Sequence, residues 1–206
     1  MIDEFKRHYY SRQKEIQTRL KEFEKFRKSS DKKLFEEVVF CVFAANSSAT
    51  MAQTALKLLK PILFTGTLED YQKTIEKKVR FYNIRSKYLY ENRLVMERYD
   101  NFLNHLESLE HHERRLFIKT NFKGFGMKES SHFLRNIGFK NYCIIDKHVL
   151  NLMTEFSVLN SANPPKNVDD YLTIEKKIIN FAEENNYNID ELDLALWSFK
   201  TGKVMR

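Results

Sequence analysis

Glycine, proline, cysteine and long apolar runs are all scarce in this chain of 206 residues. Five glycines and three prolines are too few turn formers for an all-β fold, which needs them at every chain reversal. The two cysteines, Cys41 and Cys143, can neither ligate a four-cysteine iron–sulfur cluster nor build a disulfide framework. Both sit in apolar runs, as buried free thiols do, which fits a reducing, intracellular compartment and a cytoplasmic location. No stretch approaches the ~18 uninterrupted apolar residues that a membrane-spanning helix needs, so no membrane partner is expected. The charged opening IDEFKRHYYSRQKE lacks the apolar centre of a signal peptide.

What is abundant points elsewhere. Hydrophobic residues make up 42% of the chain and include 17 Phe and 10 Tyr, enough for a sizeable core. Lysine and arginine (35) outnumber aspartate and glutamate (28), giving a formal charge of +7 and a pI near 9.2. That balance favours a polyanionic partner.

The apolar spacing is helical throughout. Residues 3–28 read as one long charged helix with Phe5, Tyr9, Leu20, Phe23 and Phe26 on its buried side. Ser29-Ser30-Asp31 offers an N-cap for a second helix that turns almost wholly apolar at VVFCVFAA, and so belongs in the core. It stops at Asn46-Ser47-Ser48, and a third helix runs on to Pro61. Further helices are expected over 69–79, 81–99 and 105–121, after Asp146, and over 171–184 and 190–200. The pattern predicts an all-α protein of roughly ten helices.

One segment carries the chemistry: FKGFGMKESSHFLRNIGFKNYCIIDKH, residues 122–148. It holds Gly124, Gly126 and Gly138, three of the five glycines. A helix ends at the Lys-Gly-Phe-Gly turn, another starts near Met127, and Gly138 stops it. Such a hairpin exposes backbone N–H groups at a helix N-terminus, where a phosphate binds without side-chain help. On the second helix Met127, Ser130, Leu134 and Ile137 share an inward face. Lys128, His132 and Arg135 share another, expected to lie toward the ligand.

Lys128 reads in two ways: an ordinary solvated lysine, or an amine nucleophile for C1′ of a deoxyribose, forming a Schiff base after the base departs. A helix N-terminus and partial burial both disfavour the ammonium and so favour the reactive form. Asp146 reads as the N-cap of the helix KHVLNLM, as a carboxylate stabilising positive charge on the sugar, or as both. His148 is a structural histidine or a phosphate contact.

The stretch KGFGMKESSHFLRNIG followed by IIDKHV resembles the helix-hairpin-helix DNA glycosylase superfamily. More narrowly, this block and the closing LDLALWSFKTGKV are similar to the type-2 8-oxoguanine DNA glycosylase/AP lyases, and the likeness covers nearly the whole chain. It implies two helical lobes flanking a DNA-binding cleft: residues 1–30 with 105–206 as the hairpin-containing lobe, and 31–104 as the second. It also implies a bifunctional enzyme that excises 8-oxoguanine through Lys128 with Asp146 as partner, then cleaves by β-elimination. The partner is double-stranded DNA containing oxidised guanine, and the chain is expected to act as a monomer.

Carried over by position, Lys123, Gly124 and Gly126 grip phosphate and His148 adds a contact. Asn46 inserts into the void left by the flipped nucleotide, although its place also suits an ordinary helix end. Trp197 stacks on the flipped purine or is simply core, Phe81 is a candidate for the pocket's opposite side, and the α-carboxylate of Arg206 reads N7–H. Here the chain ends in Arg where the group pattern has Lys. No cofactor is required and no iron–sulfur cluster is expected. A monovalent cation, K⁺ or Na⁺, can sit on the carbonyls of Thr120, Phe122 and Phe125. The other readings are a hairpin module that binds DNA without chemistry, and a glycosylase for a different damaged base.

Overall fold

Apolar residues spaced at three and four fold almost entirely into helix. The computed structural model describes residues 1–204, and among these there are eleven α-helices and no strand. In chain order they are α1 (Ile2–Glu24), α2 (Asp31–Ala44), α3 (Ala49–Leu59), α4 (Leu68–Ile75), α5 (Tyr82–Met96), α6 (Phe102–Ser108), α7 (His111–Asn121), α8 (Met127–Asn136), α9 (Lys147–Glu155), α10 (Val168–Glu184) and α11 (Ile189–Thr201). No helix is long and apolar enough to cross a membrane among the described residues.

Three expected helices differ from those observed: the first, expected over 3–28, ends at Glu24 and gives way to a 3-10 turn over Lys25–Lys28. The span 105–121 is broken into α6 and α7, because Glu110 and Glu113 form a reciprocal capping box that starts a new helix. Glutamate is not among the residues that normally signal an N-cap. The helix expected over 69–79 ends at Ile75, and Lys77 and Phe81 then both take left-handed backbone conformations.

The chain divides into two compact units, residues 26–133 and residues 1–25 with 134–206; the division falls inside α8. Residues 105–133, hairpin included, therefore group with the middle of the chain, where the sequence assigns them to the terminal lobe.

In the unit 26–133, α2 packs on α3 and α5, and α4 on α5. The apolar run of α2 is buried from Leu34 through Phe43, apart from Glu36, so α2 is the centre of this unit. In the other unit α1 and α9 pack on α11. Here a buried carboxylate does the fastening. Glu191 accepts from Tyr9 Oη at 2.7 Å, Gln13 Nε2 at 3.0 Å and Gln17 Nε2 at 2.9 Å. Three donors spaced along α1 thus converge on one residue of α11, which sets the register of the two helices.

A second carboxylate on α11, Asp193, is buried beside Arg135, Nη1 to Oδ2 being 3.4 Å. Burial pushes its pKa up to about 7; Arg135 opposes the shift, while Asp146 and Asp190 add to it. The native state therefore holds this proton more tightly than the unfolded chain. That contribution to stability is full below the unfolded pKa near 4 and is lost as pH rises toward 7. Asp193→Asn removes the titration. In thermal melts from pH 4 to 7.5 the variant is expected to gain on the wild type as pH rises, and a constant difference across that range would contradict the assignment.

Candidate active site

Between α7 and α8 the chain must reverse in five residues. Gly124 has φ +81°, and a Cβ there would lie 2.8 Å from the Tyr88 ring. Glycine is thus required by both backbone conformation and space. Asn92, with no exposed surface, fixes the turn from α5. Its Nδ2 donates to the Lys123 carbonyl at 3.0 Å, and its Oδ1 accepts the Lys123 N–H at 2.6 Å. Phe122 and Phe125 are buried, while Lys123 and Gly124 are exposed. The hairpin is therefore anchored by its phenylalanines and presents its glycine-bearing surface outward.

Gly126 opens α8. Its N–H donates to Glu129 Oε2 at 3.3 Å, and its carbonyl accepts from Ser130 Oγ at 2.7 Å. The other oxygen of Glu129 lies 2.9 Å from Lys128 Nζ, and the Lys128 side chain is 33% exposed. Glu129 thus caps the helix and holds the lysine head at the hairpin. The sequence expectation weighed only the helix N-terminus and burial at Lys128, and did not include this adjacent carboxylate. Attack by Nζ requires this ion pair to open.

The ligand-facing stripe expected on α8 holds only in part. Lys128 is half-buried, and His132 sets its ring edge-on to Phe40, with centroids 6.2 Å apart. Arg135 is buried, paired with Asp193 and lying 4.8 Å from the Phe23 ring centroid. Two helical turns carry it roughly 10 Å along the axis from Lys128, into surroundings that supply both a carboxylate and an aromatic face.

In the unit that holds Asp146, three of the sequence-predicted residues come together. Asp146 Oδ1 accepts the Val149 N–H at 2.9 Å, which is the expected N-cap of α9. Its Oδ2 accepts from Trp197 Nε1, also at 2.9 Å. His148 stands edge-on to the Trp197 ring, with centroids 6.0 Å apart. Asp146, His148 and Trp197 are all half-buried, so Trp197 is not a fully enclosed core residue.

Asn46 and Phe81 lie in the unit 26–133, both exposed and both left-handed, with φ 51° and 59°. A single buried residue, Arg85, supports both. Its Nη1 donates to the Phe43 carbonyl at 2.8 Å and its Nη2 to the Ala45 carbonyl at 2.5 Å. These are carbonyls that the end of α2 leaves without helical partners. The same guanidinium lies 6.0 Å from the Phe81 ring centroid. Sequence reasoning missed Arg85, Asn92 and Glu129. The one available signal was a polar or charged residue interrupting helical surroundings, which does not specify a partner.

Among the described residues, the carbonyls of Thr120, Phe122 and Phe125 accept no hydrogen bond. Thr120 and Phe122 lie at the end of α7 and Phe125 just before α8; neutral carbonyl oxygens are the kind of donor a monovalent cation takes. The base contact assigned to Arg206 lies outside the described residues.

The family described as 8-oxoguanine DNA glycosylase matches residues 16–187. An 8-oxoguanine DNA glycosylase/AP lyase of Korarchaeum cryptofilum is 38% identical over 194 residues, covering 93% of this chain and 90% of that protein. The crystal structure of Methanocaldococcus jannaschii 8-oxoguanine DNA glycosylase aligns with a TM-score of 0.89 at 30% identity, covering 100% of this chain and 97% of that one. The M. jannaschii glycosylase/lyase in complex with a 15mer DNA containing 8-oxoguanine aligns with a TM-score of 0.84 at 32% identity, over 94% and 93% of the two chains.

The two hairpin glycines differ in what they tolerate. Gly124→Ala forces a left-handed alanine against the Tyr88 ring, a strain on the order of 1–3 kcal/mol. It is expected to lower the melting temperature and weaken duplex DNA binding about tenfold or more. In Gly126→Ala the new Cβ meets only the flexible Glu129 carboxylate, at 3.2 Å, and the loss is expected to be smaller in both assays. Equal losses would contradict this account of the turn.

Proposed function

The chain belongs to the 8-oxoguanine DNA glycosylase family, and we propose that it excises 8-oxoguanine from duplex DNA and then cleaves the strand at the resulting abasic site. The observation that carries this reading is a half-exposed lysine on the first turn of the helix leaving a Gly-Phe-Gly hairpin. A module that only gripped phosphate would need the hairpin and not the lysine.

Lys128 is the nucleophile. Once its ion pair with Glu129 opens and a proton leaves Nζ, the lone pair attacks C1′ and the bond from C1′ to N9 breaks. The oxidised base departs with the bonding electrons and takes up a proton. The aminal then opens to a protonated imine, with the ring oxygen gaining a proton. Loss of a C2′ proton drives β-elimination, and the C3′–O bond breaks on the 3′ side of the lesion. The Asp146 carboxylate, held rigidly by its cap, offsets positive charge that builds on the sugar as the base leaves.

Lys123, Gly124 and Gly126 bind backbone phosphate at the hairpin, and His148 adds a contact. Asn46 fills the void left by the extruded nucleotide, whose unstacking costs a few kcal/mol. Phe81 and Trp197 face the base, and the α-carboxylate of Arg206 reads the N7 hydrogen. A bound K⁺ or Na⁺ on the Thr120, Phe122 and Phe125 carbonyls would stiffen the turn, and the reaction needs no other cofactor. The enzyme acts as an intracellular monomer.

Lys128→Gln keeps a polar side chain one atom shorter and removes the nucleophile. Under single-turnover conditions with an 8-oxoguanine duplex it is expected to lose base release and strand cleavage by roughly 10³-fold or more, while duplex affinity changes little. Retained cleavage would move the imine to another residue. Retained base release without cleavage would make water the attacking group. Wild-type protein that binds but releases nothing would leave a DNA-binding module.

A further inference from the structure

The indole of Trp197 has an N–H edge and two ring faces, and the structure gives them different work. The N–H donates to Asp146 Oδ2 at 2.9 Å, while the side chain stays partly exposed. The other carboxylate oxygen is held by the Val149 N–H at 2.9 Å. Asp146 is thus fixed at two points, one on its own helix and one on α11. A carboxylate held by two single donors keeps open lone pairs on both oxygens, now in one defined orientation.

The anchor on the far side is rigid. Trp197 is flanked on α11 by Leu194, Ala195, Leu196 and Ser198, all buried. Ser198 Oγ lies 2.8 Å from His8 Nε2 of α1, and Thr201 Oγ1 donates to the Trp197 carbonyl at 2.9 Å. The N-cap bond alone would leave Oδ2 free to turn about the side-chain torsions; the indole removes that freedom.

We propose that Trp197 is a positioning residue for Asp146, orienting the carboxylate through its indole N–H, in addition to offering a ring face to the base. This rests on the proposed glycosylase reaction. It makes base recognition and carboxylate alignment properties of one side chain, so that a ring displaced from the base also releases the carboxylate.

Trp197→Phe keeps an aromatic face and deletes the donor. The single-turnover excision constant at saturating enzyme is expected to fall at least tenfold, with the Kd for the 8-oxoguanine duplex changed less than threefold. In an Asp146→Asn background the same substitution is expected to lower the residual rate less than threefold, because the two residues act as one unit. A second replacement guards against poor packing of Phe. Trp197 is the chain's single tryptophan, so benzothienylalanine supplied in place of tryptophan exchanges N–H for sulfur at this position alone. It should reproduce the rate loss. A Trp197→Phe variant with weaker binding and an unchanged excision constant would reduce Trp197 to a stacking platform and overturn the proposal. An equal rate loss in the Asp146→Asn background would also overturn it. A wild type that releases no base would remove the glycosylase reading and this inference together, an outcome distinct from either of these.

Discussion

The hairpin depends on a two-point clamp by one buried amide. Asn92 closes its donor and its acceptor on the backbone of a single residue, Lys123. A buried amide is costly unless both ends are paired, and here both partner groups belong to one residue of a short turn. Only one register of the hairpin meets that demand. With Lys123 fixed, Gly124 must turn left-handed against Tyr88, α8 must begin at Met127, and Lys128 must fall on its first turn. The place of Lys128 thus follows from a hydrogen-bonding requirement on α5.

Scarcity of glycine has a visible structural consequence. Helices commonly end on a left-handed glycine that lets the backbone satisfy its own last carbonyls, and this chain has few to use. Arginine side chains take over part of that task. Arg85 closes the end of α2. Arg114 donates to the carbonyls of Leu106 and Leu109 at 2.6 and 2.5 Å. The planar fork of arginine presents donors in a fixed geometry that reaches two carbonyls at once. Part of the positive charge that favours a polyanionic partner is therefore structural and buried, and the net charge overstates what a DNA backbone meets.

The helices, the hairpin and the Asp146 cap were legible in the sequence because each is a local pattern. Apolar spacing marks α2, the clustered glycines mark the turn, and Asp146 before an apolar helix marks an N-cap. What was hidden is non-local. Asn92 meets Lys123 across 31 residues, Arg85 meets Phe43 across 42, and Trp197 meets Asp146 across 51. No periodicity encodes such pairs. Arg135 shows the complementary failure: helical phase put it beside Lys128, but phase ignores displacement along the axis, and the neighbours two turns on are Asp193 and Phe23. The break at Glu110 was missed because an unusual capping residue left no ordinary signal.

The central claim is that the amine of Lys128 forms the covalent bond to the sugar. Its most direct test is borohydride reduction of the protein during turnover of an 8-oxoguanine duplex, then nuclease and protease digestion and mass mapping of the modified peptide. The account predicts a reduced deoxyribose adduct on the peptide carrying Lys128 and on no other, absent with undamaged DNA. An adduct mapped to Lys123 or another lysine, or base release with no adduct at all, would contradict it.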